Sequence, residues 1–278
     1  MNLSFISDVT LVTGYFNIGP FIKGHKVNRR KPSDYEDWVS SFRRYRNPVV
    51  GFFDPGDPLV DRFREARKHL GPLTKIVEID RNQLWTFKIL GNVSSIFNSS
   101  GYPRHYPNTV NPQYACVTSS RFELLQRVIE GNLFESNHLA WIDIGYFKNP
   151  ECNLTFKLPP DFQENSVAFT EVKNRNSHLS PLDIIRRNRN WVAAGYFVAH
   201  HEVMHQFVTG YLTNLRYFLE QGVMSAEQQM IYSMVNTNVT TNRLPEIQTY
   251  NRKLMNIGIK CSRWCFLGCI CAKQVVDK

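Results

Sequence analysis

His138-Leu139-Ala140-Trp141-Ile142-Asp143-Ile144-Gly145 is a short apolar run that ends on an acid and a glycine. A run of this length, with turn chemistry behind it, predicts a buried strand over 138–142, with Asp143 at its carboxyl end. Three upstream stretches repeat the pattern: residues 9–13 ending at Gly14, residues 48–53 closed by Asp54-Pro55-Gly56, and residues 75–79. Helical spacing separates them. Ser33 and Glu36 read as a capping box ahead of Tyr35, Trp38, Val39, Phe42 and Tyr45, and a second helix is expected over 59–70 with Gly71 as its stop. Strands alternating with helices imply a mostly parallel sheet with right-handed crossovers. Ligands of such sheets bind at the carboxyl ends of the strands, which brings Thr13, Gly14, Tyr15, Phe16 and Asp54 near any site.

Downstream, residues 82–115 read as an irregular, loop-rich insertion punctuated by aromatics. Ser120 with Glu123 is expected to cap the next helix, whose apolar face is Phe122, Leu125, Val128 and Ile129 and whose end is Gly131. A strand is expected over 166–170, a polar, basic loop over 173–190, and a strand over 191–198. A long amphipathic helix follows over 202–220, stopped by Gly222, and Ser225 opens a last helix that carries Met230, Ile231, Met234 and Val235. No internal repeat or domain boundary is visible. The expectation is one domain over 1–278, with a core of about residues 9–250 and a Cys-rich tail over 251–278.

The chain has 278 residues, 42% hydrophobic and 21% charged, which is globular chemistry rather than disorder. No run approaches the roughly 20 apolar residues of a membrane span. The net charge of +9 is concentrated in runs at 26–31, 43–46, 62–68 and 186–189. These favour anionic partners such as a nucleotide diphosphate or an acidic glycan; each also reads as a solvated helix face. No nucleic-acid-binding signature accompanies them, so nucleic acid is not expected as a partner.

Of the six cysteines, Cys261, Cys265, Cys269 and Cys271 crowd the end in a spacing that does not match a zinc site. A disulfide, an acylated tail and plain buried thiols stay open. Acylation beside Trp264, Phe266 and Leu267 is the one route to membrane association that the sequence offers. Five N-x-S/T sequons, at Asn2, Asn92, Asn98, Asn153 and Asn238, point to a secretory lumen. The absence of a visible signal peptide points to the cytoplasm.

Four motifs are candidates for chemistry. Asp143 suits a hard divalent cation shared with substrate phosphates, and suits equally a turn cap. Glu227 and Gln228, in the first turn of the helix opened by Ser225, can grip sugar hydroxyls; Ser225 and Gln228 also form a capping box, with Glu227 answering the helix dipole. Gly195 permits close backbone approach to a ligand, while His200, His201 and His205 offer metal ligands or a base or else decorate a helix start. Arg121 can hold a diphosphate as a bidentate fork, or else decorates the face of its helix.

Thr10-Leu11-Val12-Thr13-Gly14-Tyr15-Phe16, Ser119-Ser120-Arg121-Phe122, Trp141-Ile142-Asp143-Ile144-Gly145, Ala194-Gly195-Tyr196-Phe197 and Ala226-Glu227-Gln228 together resemble the HtrL/YibB (WlaX-like) family, over about residues 9–236. The same order is similar to that of GT-A glycosyltransferases, particularly glycogenin-like ones. That resemblance implies a GT-A-like α/β fold, a nucleoside-diphosphate-sugar donor, Mn²⁺ or Mg²⁺, and a glycan or other acceptor. It implies Asp143 as metal ligand, Thr13 to Phe16 around the nucleotide, Gly195 beside the sugar, and Glu227 with Gln228 in contact with it. Gly145 stands where the second acid of a D-x-D motif belongs, so His200 or His201 is the candidate for the missing ligand. A catalytically inactive glycan- or nucleotide-binding module is the alternative.

Overall fold

The computed structural model describes residues 8–24, 28–134, 136–237, 244–252 and 261–275. The first half runs β1 (Val9–Tyr15), a small hairpin of β2 (Phe21–Ile22) and β3 (Arg29–Arg30), α1 (Pro32–Val39), β4 (Val49–Phe53), α2 (Pro58–Arg67), β5 (Thr74–Glu78), α3 (Trp85–Lys88), α4 (Leu90–Asn98) and α5 (Pro112–Glu130). The second half runs β6 (His138–Ile142), β7 (Leu154–Phe156), β8 (Ser166–Glu171), α6 (Pro181–Arg186), β9 (Val192–His200), α7 (His201–Glu220), α8 (Glu227–Thr237), β10 (Glu246–Tyr250), α9 (Phe266–Cys271) and β11 (Ala272–Gln274).

Seven strands form one sheet in the order β10-β8-β9-β6-β1-β4-β5, parallel except for β9, which is antiparallel to both its neighbours. Alternate residues of each strand face opposite layers. On β1, Val12 enters one apolar cluster with α3 to α8, while Leu11 enters a second with α1, α2 and α9. On β6, Leu139 and Trp141 face the first cluster, and Ala140 and Ile142 the second. Burial on both faces explains why these strands are nearly continuous apolar runs.

Several local expectations change. Helix α1 starts with Pro32, and its cap is Lys31, whose N–H donates to Asp34 Oδ2 at 2.9 Å; the Ser33–Glu36 box does not form. The 82–115 insertion contains α3 and α4, which bury Phe87, Val93 and Phe97. Helix α5 starts eight residues before Ser120, at Pro112, with Asn111 Oδ1 accepting from Tyr114 N–H at 3.0 Å. Glu123 caps a different helix: its carboxylate accepts from the N–H groups of Trp85 and Thr86 at 3.1 and 3.3 Å. The basic 173–190 stretch contains α6, capped by Ser180 and anchored by buried Ile184 and Ile185.

The C-terminal segment packs into the second cluster. Phe266, Leu267, Ile270 and Cys271 are buried there, and β11 pairs with β7. Cys261 and Cys269 are disulfide-bonded, while Cys116, Cys152, Cys265 and Cys271 are free thiols. Among the described residues no helix is long and apolar enough to cross a membrane. Of the sequons, Asn92 and Asn98 are exposed on α4, and Asn2 and Asn238 lie outside the described residues.

Arg67 ties α2 to the strands beside it. At 1% exposure its Nε donates to Thr74 Oγ1 at 2.9 Å, and its Nη2 to the carbonyls of Asn47 and Leu73 at 3.0 and 2.9 Å. Its Nη1 serves the carbonyls of Phe42 and Tyr45. Removing one side chain therefore strands several buried acceptors. Arg67→Met is expected to lower the unfolding free energy by at least about 3 kcal/mol, read from urea titrations. A loss below about 1 kcal/mol would mean that water replaces the guanidinium without cost.

Candidate active site

The chain visits β1, β4 and β5 on one side and then crosses back to place β6 on the other side of β1. The crevice at such a reversal, beyond the carboxyl ends of the strands, is where open α/β sheets bind ligands. A cavity of about 550 Å³ lies there. Gly14 and Tyr15 of β1 and Phe16 just beyond it line one side, and Asp143, the residue after β6, lines the floor. Arg121 from the middle of α5, Gly195 of β9, and Glu227 and Gln228 at the start of α8 complete the set that the sequence nominated.

Arg121 is the centre of this array. It is 5% exposed, and its Nη2 lies 3.4 Å from Asp143 Oδ1 while its Nη1 lies 3.6 Å from Glu227 Oε1. Nη1 also donates to the carbonyl of Ala194, and the guanidinium stands 5.3 Å from the centroid of the Trp141 ring. Burial alone would pull its pKa down; Asp143 and Glu227 outweigh burial and raise it, so the group stays charged. Trp141 Nε1–H donates to the same Asp143 oxygen at 2.7 Å. Asp143 Oδ1 is thus engaged by Arg121 and Trp141, and the carboxylate, 41% exposed, lines the cavity. Glu227 is buried, and its Oε2 has no hydrogen-bond partner among the described residues. Ser225 Oγ is also buried without a partner, so the Ser225–Gln228 capping box is not made.

Two glycines are set by contact. The Gly195 carbonyl accepts from the Asp143 N–H at 2.8 Å, and a Cβ on Gly195 would stand 3.3 Å from Asp143 Oδ2 and 3.2 Å from Tyr146. Gly145 has φ +88°, and a Cβ there would lie 2.3 Å from Trp38 Cε3. An aspartate at 145 would need both a left-handed backbone and the space of the indole.

Other lining residues had no separate signal in the sequence. Tyr35 and Trp38 read only as the apolar face of α1, and Tyr114 lay in the supposed insertion. Burial pushes the Tyr35 phenol up to about 12 and raises Tyr114 well above the usual range, so both hydroxyls stay protonated at neutral pH. An amide cluster forms the far wall. Gln229 Nε2 donates to Asn188 Oδ1 at 3.0 Å and to Asn190 Oδ1, and Asn108 Nδ2 donates to Asn188 Oδ1 at 2.9 Å. Gln229 Oε1 is buried and has no partner among the described residues.

Four nominated residues are elsewhere. Thr13 is buried and does not line the cavity. Asp54 is ion-paired with Arg81 and accepts its N–H at 3.1 Å; Arg81 in turn donates to the Asn17 carbonyl at 2.7 Å, so Asp54 acts only on the loop behind Phe16. His200 pairs with His138 across β9 and β6, at the end of β6 away from Asp143, and His201 follows it. Because β9 is antiparallel, four residues of strand, roughly 13 Å, separate them from the Asp143 end.

The matching family model is described as a bacterial protein of unknown function, HtrL_YibB, and it covers residues 7–244. The chain belongs to the HtrL/YibB family. Protein HtrL of Escherichia coli (strain K12) is 21% identical over 239 residues, covering 80% of this chain and 82% of that one. Among solved structures, mouse xyloside xylosyltransferase 1 in its apo form aligns over 88% of this chain and 85% of its own, with 12% identity and a TM-score of 0.41.

Asp143 and the histidines that the resemblance offered as its partners for Mn²⁺ or Mg²⁺, His200 and His201, lie at opposite ends of β6 in this HtrL/YibB chain. Among the described residues no three His, Cys, Asp or Glu side chains converge as a metal site. His200 and His201 cannot reach Asp143, Gly145 has no room for an acid, and the buried guanidinium of Arg121 sits between Asp143 and Glu227. A divalent ion on Asp143 would lie close to that positive charge.

The coupling between Arg121 and Glu227 is testable by a double-mutant cycle. Arg121→Met leaves Glu227 as an unpaired buried carboxylate and is expected to cost about 3–5 kcal/mol. Adding Glu227→Gln removes the orphaned charge, so the double variant should be more stable than Arg121→Met alone. Additive losses in urea unfolding would show that the two groups act independently.

Proposed function

We propose that this protein is a glycosyltransferase that moves a sugar from a nucleoside-diphosphate donor to an acceptor hydroxyl, a glycan or a similar polyol. The observation that supports this most is the Asp143–Arg121–Glu227 array on the floor of a cavity of about 550 Å³ at the sheet's reversal point. That volume suits a ligand of nucleotide-sugar size. The walls supply aromatic rings for a base, and the floor and far wall supply acceptors for hydroxyls. Glu227 Oε2 and Gln229 Oε1 are buried acceptors without donors, and a sugar provides donors of that kind. The motif order shared with GT-A enzymes points the same way, as an analogy of fold.

In the reaction, the bond from the anomeric carbon to the diphosphate oxygen breaks and its electron pair leaves with the nucleoside diphosphate. A bond forms to the acceptor oxygen as that hydroxyl's proton passes to the departing diphosphate. The Asp143 carboxylate lines the cavity and is oriented by Arg121 and Trp141. Glu227 and Gln228 stand on the first turn of α8, where the helix dipole favours the carboxylate. A second reading, binding without turnover, draws on the engagement of Asp143 by Arg121 and on Gly145 in place of an acid.

Purified protein incubated with a panel of nucleoside-diphosphate sugars is expected to release nucleotide, and Asp143→Ala to reduce that release by at least about 100-fold when assayed below the variant's own melting transition. Equal turnover in Asp143→Ala would remove Asp143 from the chemistry. Saturable binding with no turnover of any donor would favour the binding module.

A further inference from the structure

We infer that the cavity takes the diphosphate of its ligand on three cationic side chains, Lys23, Arg30 and Lys148, without a divalent metal; this rests on the nucleotide-sugar reading of the same site. The indole of Trp38 fills the space that an acid at 145 would need. Two cations surround that same indole: Lys148 Nζ is 4.5 Å from its ring centroid and Arg30 Cζ is 5.1 Å. Cations are drawn to the face of an indole, so the ring fixes both groups at the cavity wall. Where a metal-binding site would place a second carboxylate, this chain places positive charge.

The small hairpin adds the third. Phe21 pairs with Arg30 and Ile22 with Arg29, and Lys23 N–H donates to the Asn28 carbonyl at 2.8 Å, so Lys23 and Arg30 emerge together. The next residue, Gly24, donates its N–H to the Tyr106 carbonyl at 3.0 Å, which pins the hairpin against the cavity. All three cations line the cavity.

None of the three has an ion-pair partner among the described residues. Some basic side chains elsewhere do: Arg62 reaches Glu36, Arg64 and Lys68 find acids on α2, and Arg186 and Arg187 both face Asp183; what sets these three apart is that they share one cavity. Two carboxylates, Asp143 and Glu227, line the cavity, and Arg121 already answers both. Lys23, Arg30 and Lys148 are therefore a surplus of positive charge at the mouth of an enclosed site. A diphosphate neutralises that surplus through charge-assisted hydrogen bonds, and Arg30 offers a fork suited to two phosphate oxygens. The work that a metal does for a departing diphosphate falls to these side chains.

The test is calorimetric titration of the full chain with inorganic pyrophosphate and with UDP, GDP, CDP and ADP, each in EDTA and again in Mn²⁺. Pyrophosphate is expected to bind in EDTA, more weakly as salt rises. Lys148→Met, a change at an exposed side chain, is expected to weaken it by roughly 10- to 100-fold, and Arg30→Ala by a similar factor. Binding that appears only with Mn²⁺, or that both variants leave unchanged, would overturn the inference. The arms separate the two readings. Nucleoside diphosphates that need Mn²⁺ would sink the cationic cradle and leave the donor assignment standing. Metal-free pyrophosphate binding that no nucleoside improves would keep the cradle and count against a nucleotide donor.

Discussion

Arg121 keeps a full charge at 5% exposure in the middle of α5, and a charge so placed has to be answered from every side. The answers come from four elements: Asp143 after β6, the Ala194 carbonyl of β9, Glu227 at the start of α8, and the face of Trp141 on β6. Each is separated from Arg121 by long stretches of chain. The guanidinium therefore fixes where β6 ends relative to β9 and how α8 enters the core. Leaving it unpaired would cost more than any one of these contacts contributes, so the elements meet in one arrangement.

The antiparallel β9 matters to the same end. Running against β6, it sets Gly195 beside Asp143 and carries its histidines to the opposite end of the pair. A parallel strand would have left the histidines beside the acid. Trp38 does on the other side of Asp143 what Arg121 does beneath it: its ring takes the space next to Gly145 and gathers Arg30 and Lys148. The site that results is built from fixed side-chain charges, with two carboxylates, Asp143 and Glu227, in the cavity lining.

Much of the sheet was legible because a strand buried on both faces reads as a short apolar run. Residues 9–13, 48–53, 75–79 and 138–142 each mark a strand to within a residue or two. Helices over the 82–115 stretch were missed because α3 is a single turn and α4 mixes Gly, Asn and Ser with its buried Val93 and Phe97. Ser120 misled because a serine followed three residues later by glutamate looks like a cap wherever it falls. In the fold Ser120 Oγ donates to the Val117 carbonyl at 2.8 Å within α5, and Glu123 reaches across to cap α3.

The sequence by itself determined the alternation of strand and helix and the family, and it nominated Asp143, Arg121, Gly195, Glu227 and Gln228, which the fold gathers around one cavity. The alternation follows from apolar periodicity, the nominated residues from short motifs, and the family from the order in which those motifs resemble it. Tertiary structure alone decided that Arg121 bridges two acids, that His200 and Asp54 stand away from the cavity, and that Lys23, Arg30 and Lys148 share its mouth. Those facts depend on strand direction and on contacts between residues tens to more than a hundred positions apart. Local spacing carries no information about them, because a side chain's partner is set by which elements pack together.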